Sequence, residues 1–174
     1  ECWNTNKLNL KKLIVILGPT ASSKTRLAVN LAYQFNGEII SADSRQIYRG
    51  MDIGTGKDLH EYIHQNKTIS YHLIDILNPK DDYSVFQFKN DFFKSYNKIV
   101  QKKKIPILCG GTGLYLESIL LNYKMSTIGP NKKLRNELEK LTITNLISLL
   151  IKLDKDSYVE NFHVTKRRLI RSIE

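Results

Sequence analysis

Between the apolar run Leu13-Ile14-Val15-Ile16-Leu17 and a helically spaced segment ending at Phe35 stands Gly18-Pro19-Thr20-Ala21-Ser22-Ser23-Lys24-Thr25. A glycine, four residues, a second small residue and then Lys-Thr is the layout of a P-loop. In such a loop backbone N–H groups cradle phosphate, the lysine neutralises it and the hydroxyl reaches a magnesium ion. The motif works only between a buried strand and the helix that follows it, so it constrains the fold as well as the ligand. One position departs from the pattern, because Ser23 stands where a second glycine is expected. If that position needs a positive φ, a side chain there costs about 1–2 kcal/mol. The plainer alternative is a glycine turn that only joins strand to helix.

The remainder of the N-terminal part continues the alternation. Leu27, Leu31 and Phe35 lie four apart with Ala28 and Ala32 beside them, which predicts a packed helix over Thr25–Phe35. Asn36-Gly37 closes it, and Glu38–Ser41 reads as a short strand. His72–Leu77 is a further apolar strand candidate. Ser84 can cap a helix on which Val85, Phe88, Phe92, Tyr96 and Ile99 share a face. Ile105–Cys109 reads as a strand, turned by Gly110-Gly111-Thr112-Gly113 into a helix over Leu114–Leu121. Strand and helix in alternation build a parallel sheet covered on both faces. The expected fold is therefore α/β, a P-loop NTPase-like parallel sheet flanked by helices, over residues 1–124. From 125 to 174 the chain reads as helical and charged, with no convincing strand. Glu1 is not a methionine and Glu174 falls within an amphipathic pattern, so a piece of a longer protein is expected.

Three constellations carry chemistry. The P-loop predicts a phosphate-bearing ligand. Ser41-Ala42-Asp43-Ser44-Arg45-Gln46 follows a strand and places a carboxylate at the carboxyl edge of the sheet, where ligands bind. Asp43 then reads as a general base or a magnesium ligand, or as a cap on the turn Ser44–Tyr48. Gly110-Gly111-Thr112-Gly113 is a second glycine-rich turn on the same edge, permitting close backbone approach, with Thr112 as a polar reader. The net charge of +10 favours polyanionic partners such as nucleic acid, or merely solvates the surface. At the far end Arg167, Arg168 and Arg171 form a basic helix face while Leu169, Ile170 and Ile173 can pack inward.

In order and spacing these segments resemble the tRNA dimethylallyltransferases. The resemblance is carried by Gly18–Ser22, the long block Ile39–Lys57, Tyr71–Ile76 and Cys109–Tyr115, and it resumes at Arg167-Arg168-Leu169-Ile170-Arg171. It implies transfer of a dimethylallyl group from dimethylallyl diphosphate to N6 of an adenosine next to the anticodon. Gly18, Pro19, Thr20, Ala21, Ser22, Ser23, Lys24 and Thr25 would then hold the diphosphate, with Thr25 meeting Mg2+. Asp43 would take the amine proton, with Lys24 and Thr25 also in the catalytic set. Asp43, Ser44, Arg45, Gln46, Thr112, Arg135, Arg167, Arg168, Leu169, Ile170 and Arg171 would meet the tRNA anticodon stem-loop. A prenyltransferase acting on free adenylate, a P-loop small-molecule kinase and an inactive RNA-binding remnant are the alternatives.

His60-Glu61-Tyr62-Ile63-His64 matches the H-E-x-x-H zinc pattern but lies in a polar stretch with no third ligand, and is read as a surface helix. His72 and His163 read as structural, and Lys102-Lys103-Lys104 as a solvated helix end. Cys2 and Cys109 are the only cysteines, widely separated, which fits a reduced setting. No apolar run approaches the ~18–20 residues of a membrane span. The expectation is a cytoplasmic monomer.

Overall fold

The computed structural model describes residues 12–19, 21–123, 129–158 and 165–174. Four parallel strands form the main sheet: β1 (Ile14–Leu17), β2 (Gly37–Ser41), β5 (Tyr71–His72) and β6 (Ile105–Gly110), in the order β1-β6-β2-β5. Ile39 pairs with Ile107 and Ile16 with Cys109, so β6 is flanked on both sides. β3 (Ile63–His64) and β4 (Lys67–Thr68) form a separate antiparallel hairpin. Helix α1 (Lys24–Gln34) follows β1, α2 (Val85–Gln101) precedes β6 and α3 (Gly113–Leu120) follows it.

The pleat sends successive side chains to opposite faces, which divides the core in two. Ile39, Ile107 and Cys109 pack with Ala28, Val29 and Ala32 of α1. Ile40 and Leu108 pack with Phe88, Phe92 and Ile99 of α2 and with Leu116 and Ile119 of α3. Both neighbours of each central residue are therefore apolar, as a sheet covered on both faces requires. Ser84 and Gln87 close a reciprocal capping box at the start of α2.

The chain divides into two compact units, residues 1–125 and 126–174. Within the second, α4 (Lys132–Leu138), α5 (Ile143–Leu153) and α6 (Lys166–Ile173) bury Leu138, Leu146, Leu150, Leu169 and Ile170 together. Asn131, Thr142 and Thr165 cap the three helices through their side chains.

Three sequence expectations are corrected. The apolar stretch His72–Leu77 is not one strand: β5 ends at His72, because Leu73 and Asp75 turn left-handed with φ of 62° and 54°. The chain then runs beside Ile47, with Ile76 N–H donating to its carbonyl at 2.9 Å. Its apolar character reflects burial of Leu73 on one sheet face and Ile74 on the other. His60–His64 is not a surface helix. A 3-10 turn, Leu59–Tyr62, leads directly into β3, and Gln65 and Asn66 (φ 47° and 62°) make the tight hairpin turn. Tyr62 is drawn inward against Tyr71, while His60 pairs with Asp58 and His64 packs on Tyr33, so the two imidazoles do not converge.

Lys102 and Lys104 are not simply a solvated helix end. Both donate to the buried carboxylate of Glu38, at 3.1 and 2.7 Å, beside His72 at 2.8 Å. Burial works against that charge, but hydrogen bonds from Lys104, His72 and Lys102 win and hold the Glu38 carboxyl down at about 2. This cluster stands at the amino end of β2, opposite the P-loop edge, and His72 is structural there. His163 lies outside the described residues.

Candidate active site

The carboxyl ends of β1, β2 and β6 meet at one edge, and glycine makes the meeting possible. A Cβ on Gly110 would sit 2.3 Å from the carbonyl oxygen of Ala42, and one on Gly111 would sit 3.3 Å from that of Gly18. Ala42 N–H donates to Cys109 at 2.8 Å and Thr112 N–H donates back to Ala42 at 3.2 Å. The loops after the three strands are thereby held against one another.

Within the first loop, Ala21 and Ser23 take φ of 61° and 56°. Ser23 is thus a left-handed residue in the glycine position, and as N-cap of α1 it makes no side-chain capping bond. The first N–H groups of α1 are left uncapped by a side chain, as anion binding at a helix N-terminus requires. Lys24 Nζ donates to Pro19 O at 2.5 Å and Ser22 Oγ to the same carbonyl at 2.8 Å, so the lysine folds over the loop. Gly18, Pro19, Ala21, Ser22 and Ser23 join β1 to α1, and Lys24 and Thr25 open the helix; Thr20 lies outside the described residues.

In the second loop Asp43 is half-buried and its Oδ1 accepts the Arg45 N–H at 2.8 Å. That Asx turn leaves Oδ2 without a protein partner among the described residues. Thr112, the N-cap of α3, makes no capping bond of its own; its Oγ1 accepts the Ser44 N–H at 3.0 Å instead. A helix cap has been given up to tie the third loop to the second. Gln46 accepts from Ser41 Oγ at 3.1 Å and donates to Gly56 O at 3.0 Å, while Arg45 is exposed.

Two neighbours register the charges. Burial pushes the Cys109 thiol up to about 11, with Lys24 opposing and Asp43 reinforcing, so both charges face the end of β6. Burial likewise raises the Tyr115 hydroxyl to about 12, with Tyr48 and Asp43 adding to it. A P-loop lysine, an Asp carboxylate and two tyrosines thus surround one edge. Among the described residues no three His, Cys, Asp or Glu side chains are gathered for a metal. Thr25 and Asp43 would offer one or two oxygens, a donor set suited to magnesium held together with phosphate and water rather than in a protein cage.

The remaining predicted contacts belong to the second unit. Arg167, Arg168 and Arg171 are exposed on α6, but Leu169 and Ile170 are 0% and 3% exposed, so their side chains brace the helix rather than face a partner. Arg135 is also less free than its sequence suggests. Its Nε and Nη2 donate to Glu174 at 3.1 and 2.8 Å, and Arg171 Nη1 donates to the same carboxylate at 2.6 Å. Arg135 first, then Arg171, hold that carboxyl down at about 2 against burial.

Sequence reasoning missed Lys57, whose fully buried ammonium reaches Tyr48 O, Asp52 and Asp75. Nothing in its spacing separates it from a surface lysine.

The IPP transferase family model matches residues 46–174 and an isopentenyl transferase model matches residues 11–76. A tRNA dimethylallyltransferase 2 of Phocaeicola vulgatus is 50% identical over 165 residues, covering 93% of this chain and 52% of that protein. A crystal structure of tRNA isopentenylpyrophosphate transferase from Bacillus halodurans superposes with a TM-score of 0.62 at 37% identity, over 94% of this chain and 54% of that one. A eukaryotic dimethylallyltransferase acting on tRNA gives 0.76 at 30% identity, over 92% and 40%. The chain spans about half the length of the curated relatives it matches. With its P-loop, Asp43 edge and glycine-rich third turn in the fold these proteins share, the chain belongs to the IPP transferase family.

Proposed function

We propose that this chain carries the donor site and the base of an enzyme that moves a dimethylallyl group from dimethylallyl diphosphate to N6 of an adenosine next to the anticodon of tRNA. The observation that carries the reading is the bridge from Thr112 to Ser44, which sets Asp43 on the same edge as the phosphate loop.

The chemistry follows from the residues. The N6 lone pair forms a bond to the allylic carbon, the carbon–oxygen bond to diphosphate breaks, and the amine loses a proton. An exocyclic amine is a weak nucleophile, so the Asp43 carboxylate accepts that proton as the nitrogen becomes acidic. The N–H groups of the Gly18–Thr25 loop and the ammonium of Lys24 meet the charge that grows on the departing diphosphate. Magnesium, held through Thr25, supplies further positive charge there when bound. Tyr48 and Asp43 lie close enough to Tyr115 for their charges to act on its hydroxyl, and an adenosine drawn out of its stack would enter at this edge. The exposed Arg167 and Arg168 suit the phosphate backbone of the stem, in a cytoplasmic enzyme acting as a monomer.

The test is transfer of label from dimethylallyl diphosphate, with magnesium, to unmodified tRNA or to AMP, with an ATP and small-acceptor arm. Label in tRNA supports the reading; label in AMP alone, or ATP turnover, overturns it. Asp43→Ala is expected to lower transfer by ~10²–10⁴-fold with diphosphate binding kept. Loss of binding as well would make Asp43 a magnesium or structural residue.

A further inference from the structure

Between Tyr48 and Lys57 the chain makes an excursion with no regular helix or strand, directly after the Asp43–Gln46 loop. Gly50, Gly54 and Gly56 take φ of +70°, +75° and +64°, and a Cβ at each would meet nothing within 4 Å. Backbone conformation, not crowding, demands those glycines. Ordering a segment so rich in freely turning residues is costly, and its side chains cannot supply a core: Met51 is 42% exposed and Ile53 99%.

Thr55 Oγ1 closes a turn within the segment by donating to Met51 O at 2.7 Å, and Arg49 N–H donates to Leu77 O at 2.8 Å at its start. The side-chain tie that gathers both its ends is one buried charge. The three N–H donors of the Lys57 ammonium reach Tyr48 O at 2.7 Å, Asp52 Oδ1 at 2.9 Å and Asp75 Oδ1 at 2.5 Å, with none of its side chain exposed. Tyr48 and Asp52 lie on the excursion, while Asp75 anchors it to the chain beyond β5, where Arg49 Nε adds a bond to the Asp75 carbonyl at 2.8 Å. Burial opposes the charge, but the two aspartates outweigh it and keep the lysine protonated. The residue next to Lys57, Gly56, presents its carbonyl to Gln46 Nε2 at 3.0 Å, and the other end of that amide takes Ser41 Oγ. Both ends of the Gln46 amide are therefore set, one by β2 and one by the clamped segment.

We propose that Lys57 is a positioning residue for RNA. Its ammonium fixes the 48–57 segment so that the Gly56 carbonyl orients Gln46 in the RNA-facing part of the site. This rests on the functional reading above. Without the ammonium, Asp75 and the Tyr48 carbonyl lose their donor, the segment is released, and Gln46 must order itself anew on each encounter. The phosphate loop shares none of these bonds, so its ligand is unaffected.

The full chain, Lys57→Met, Gln46→Ala and the double variant are titrated with an unmodified anticodon stem-loop RNA and, separately, with dimethylallyl diphosphate. Lys57→Met is expected to weaken RNA about tenfold and to leave the diphosphate within about twofold. Because Lys57 acts through Gln46, the double variant binds RNA no more weakly than Gln46→Ala. Additive losses, or RNA binding equal to the parent's in Lys57→Met, overturn the proposal. If Lys57→Met loses its circular dichroism signal, Asp52→Asn, whose side chain is 65% exposed, carries the same test with an expected loss of about threefold; no loss there overturns it. A parent chain that binds no RNA overturns the functional reading, and this inference with it, whereas failure confined to the variants overturns this inference alone.

Discussion

Ser23→Gly should make this protein more stable, and the size of the gain can be worked out. Ser23 sits at φ 56°, ψ 26°, where a Cβ crowds the following carbonyl. That conformation costs a non-glycine residue roughly 1–2 kcal/mol, and glycine removes the cost. Against it stands the greater freedom of glycine in the unfolded chain, roughly 0.4–1 kcal/mol. No cap is lost, because the Ser23 side chain makes none. The net is a gain of about 0.5–1 kcal/mol, or a Tm higher by ~1–4 °C. Urea unfolding followed by circular dichroism measures it as a raised midpoint at constant slope. Ser23→Ala separates strain from hydroxyl: it keeps the Cβ, so it should lie within about 0.5 kcal/mol of the parent. A midpoint for Ser23→Gly at or below the parent's, or a loss beyond about 1 kcal/mol in Ser23→Ala, refutes the argument. The same relief bears on the proposed function, in which the N–H groups around Ser23 would meet phosphate.

Two further outcomes follow from packing and charge. Gly110→Ala forces a Cβ onto the backbone of Ala42 and is expected to destabilise by about 3 kcal/mol, whereas Gly54→Ala, which meets nothing, should lose ~1 kcal/mol by urea unfolding; equal losses would show that the β2 and β6 loops do not need their close approach. Glu38 has a folded carboxyl near 2 against an ordinary 4.5, so its contribution is fully present above about pH 4.5 and is lost as pH falls towards 2. The loss amounts to about 3 kcal/mol. Urea midpoints that stay level through this window, or fall equally in Glu38→Gln, would refute it.

Much of the fold could be read from local pattern. The strands at Ile14–Leu17 and Ile105–Gly110, the box at Ser84 and the face of α2 each announce themselves within a few residues, because periodicity and caps are local chemistry. Reading failed where a long-range contact overrode the local pattern. His72–Leu77 has the composition of a strand, yet two left-handed residues turn it so that Leu73 and Ile74 reach opposite faces of the sheet. His60–His64 has helical spacing, yet burial of Tyr62 and the turn at Gln65-Asn66 make it a hairpin. Lys102, Lys104 and Lys57 look like surface lysines until their carboxylate partners, distant in sequence, arrive.

The sequence alone determined the P-loop motif, the strands and helices around it, and the resemblance on which the proposal of Asp43 as a base rests, because each depends on neighbours along the chain. Tertiary structure alone decided what surrounds them. It brought Gly110 against Ala42 and Thr112 onto Ser44, turned Leu169 and Ile170 inward beneath the arginines of α6, and drew Lys57 under the loop that orients Gln46. These are contacts between residues far apart in the chain, made where loops from parallel strands converge. They depend on burial and distance, which no spacing in a single sequence encodes. Ser23 belongs to both accounts: the motif marks it as out of place, and the left-handed backbone at its position gives the physical reason.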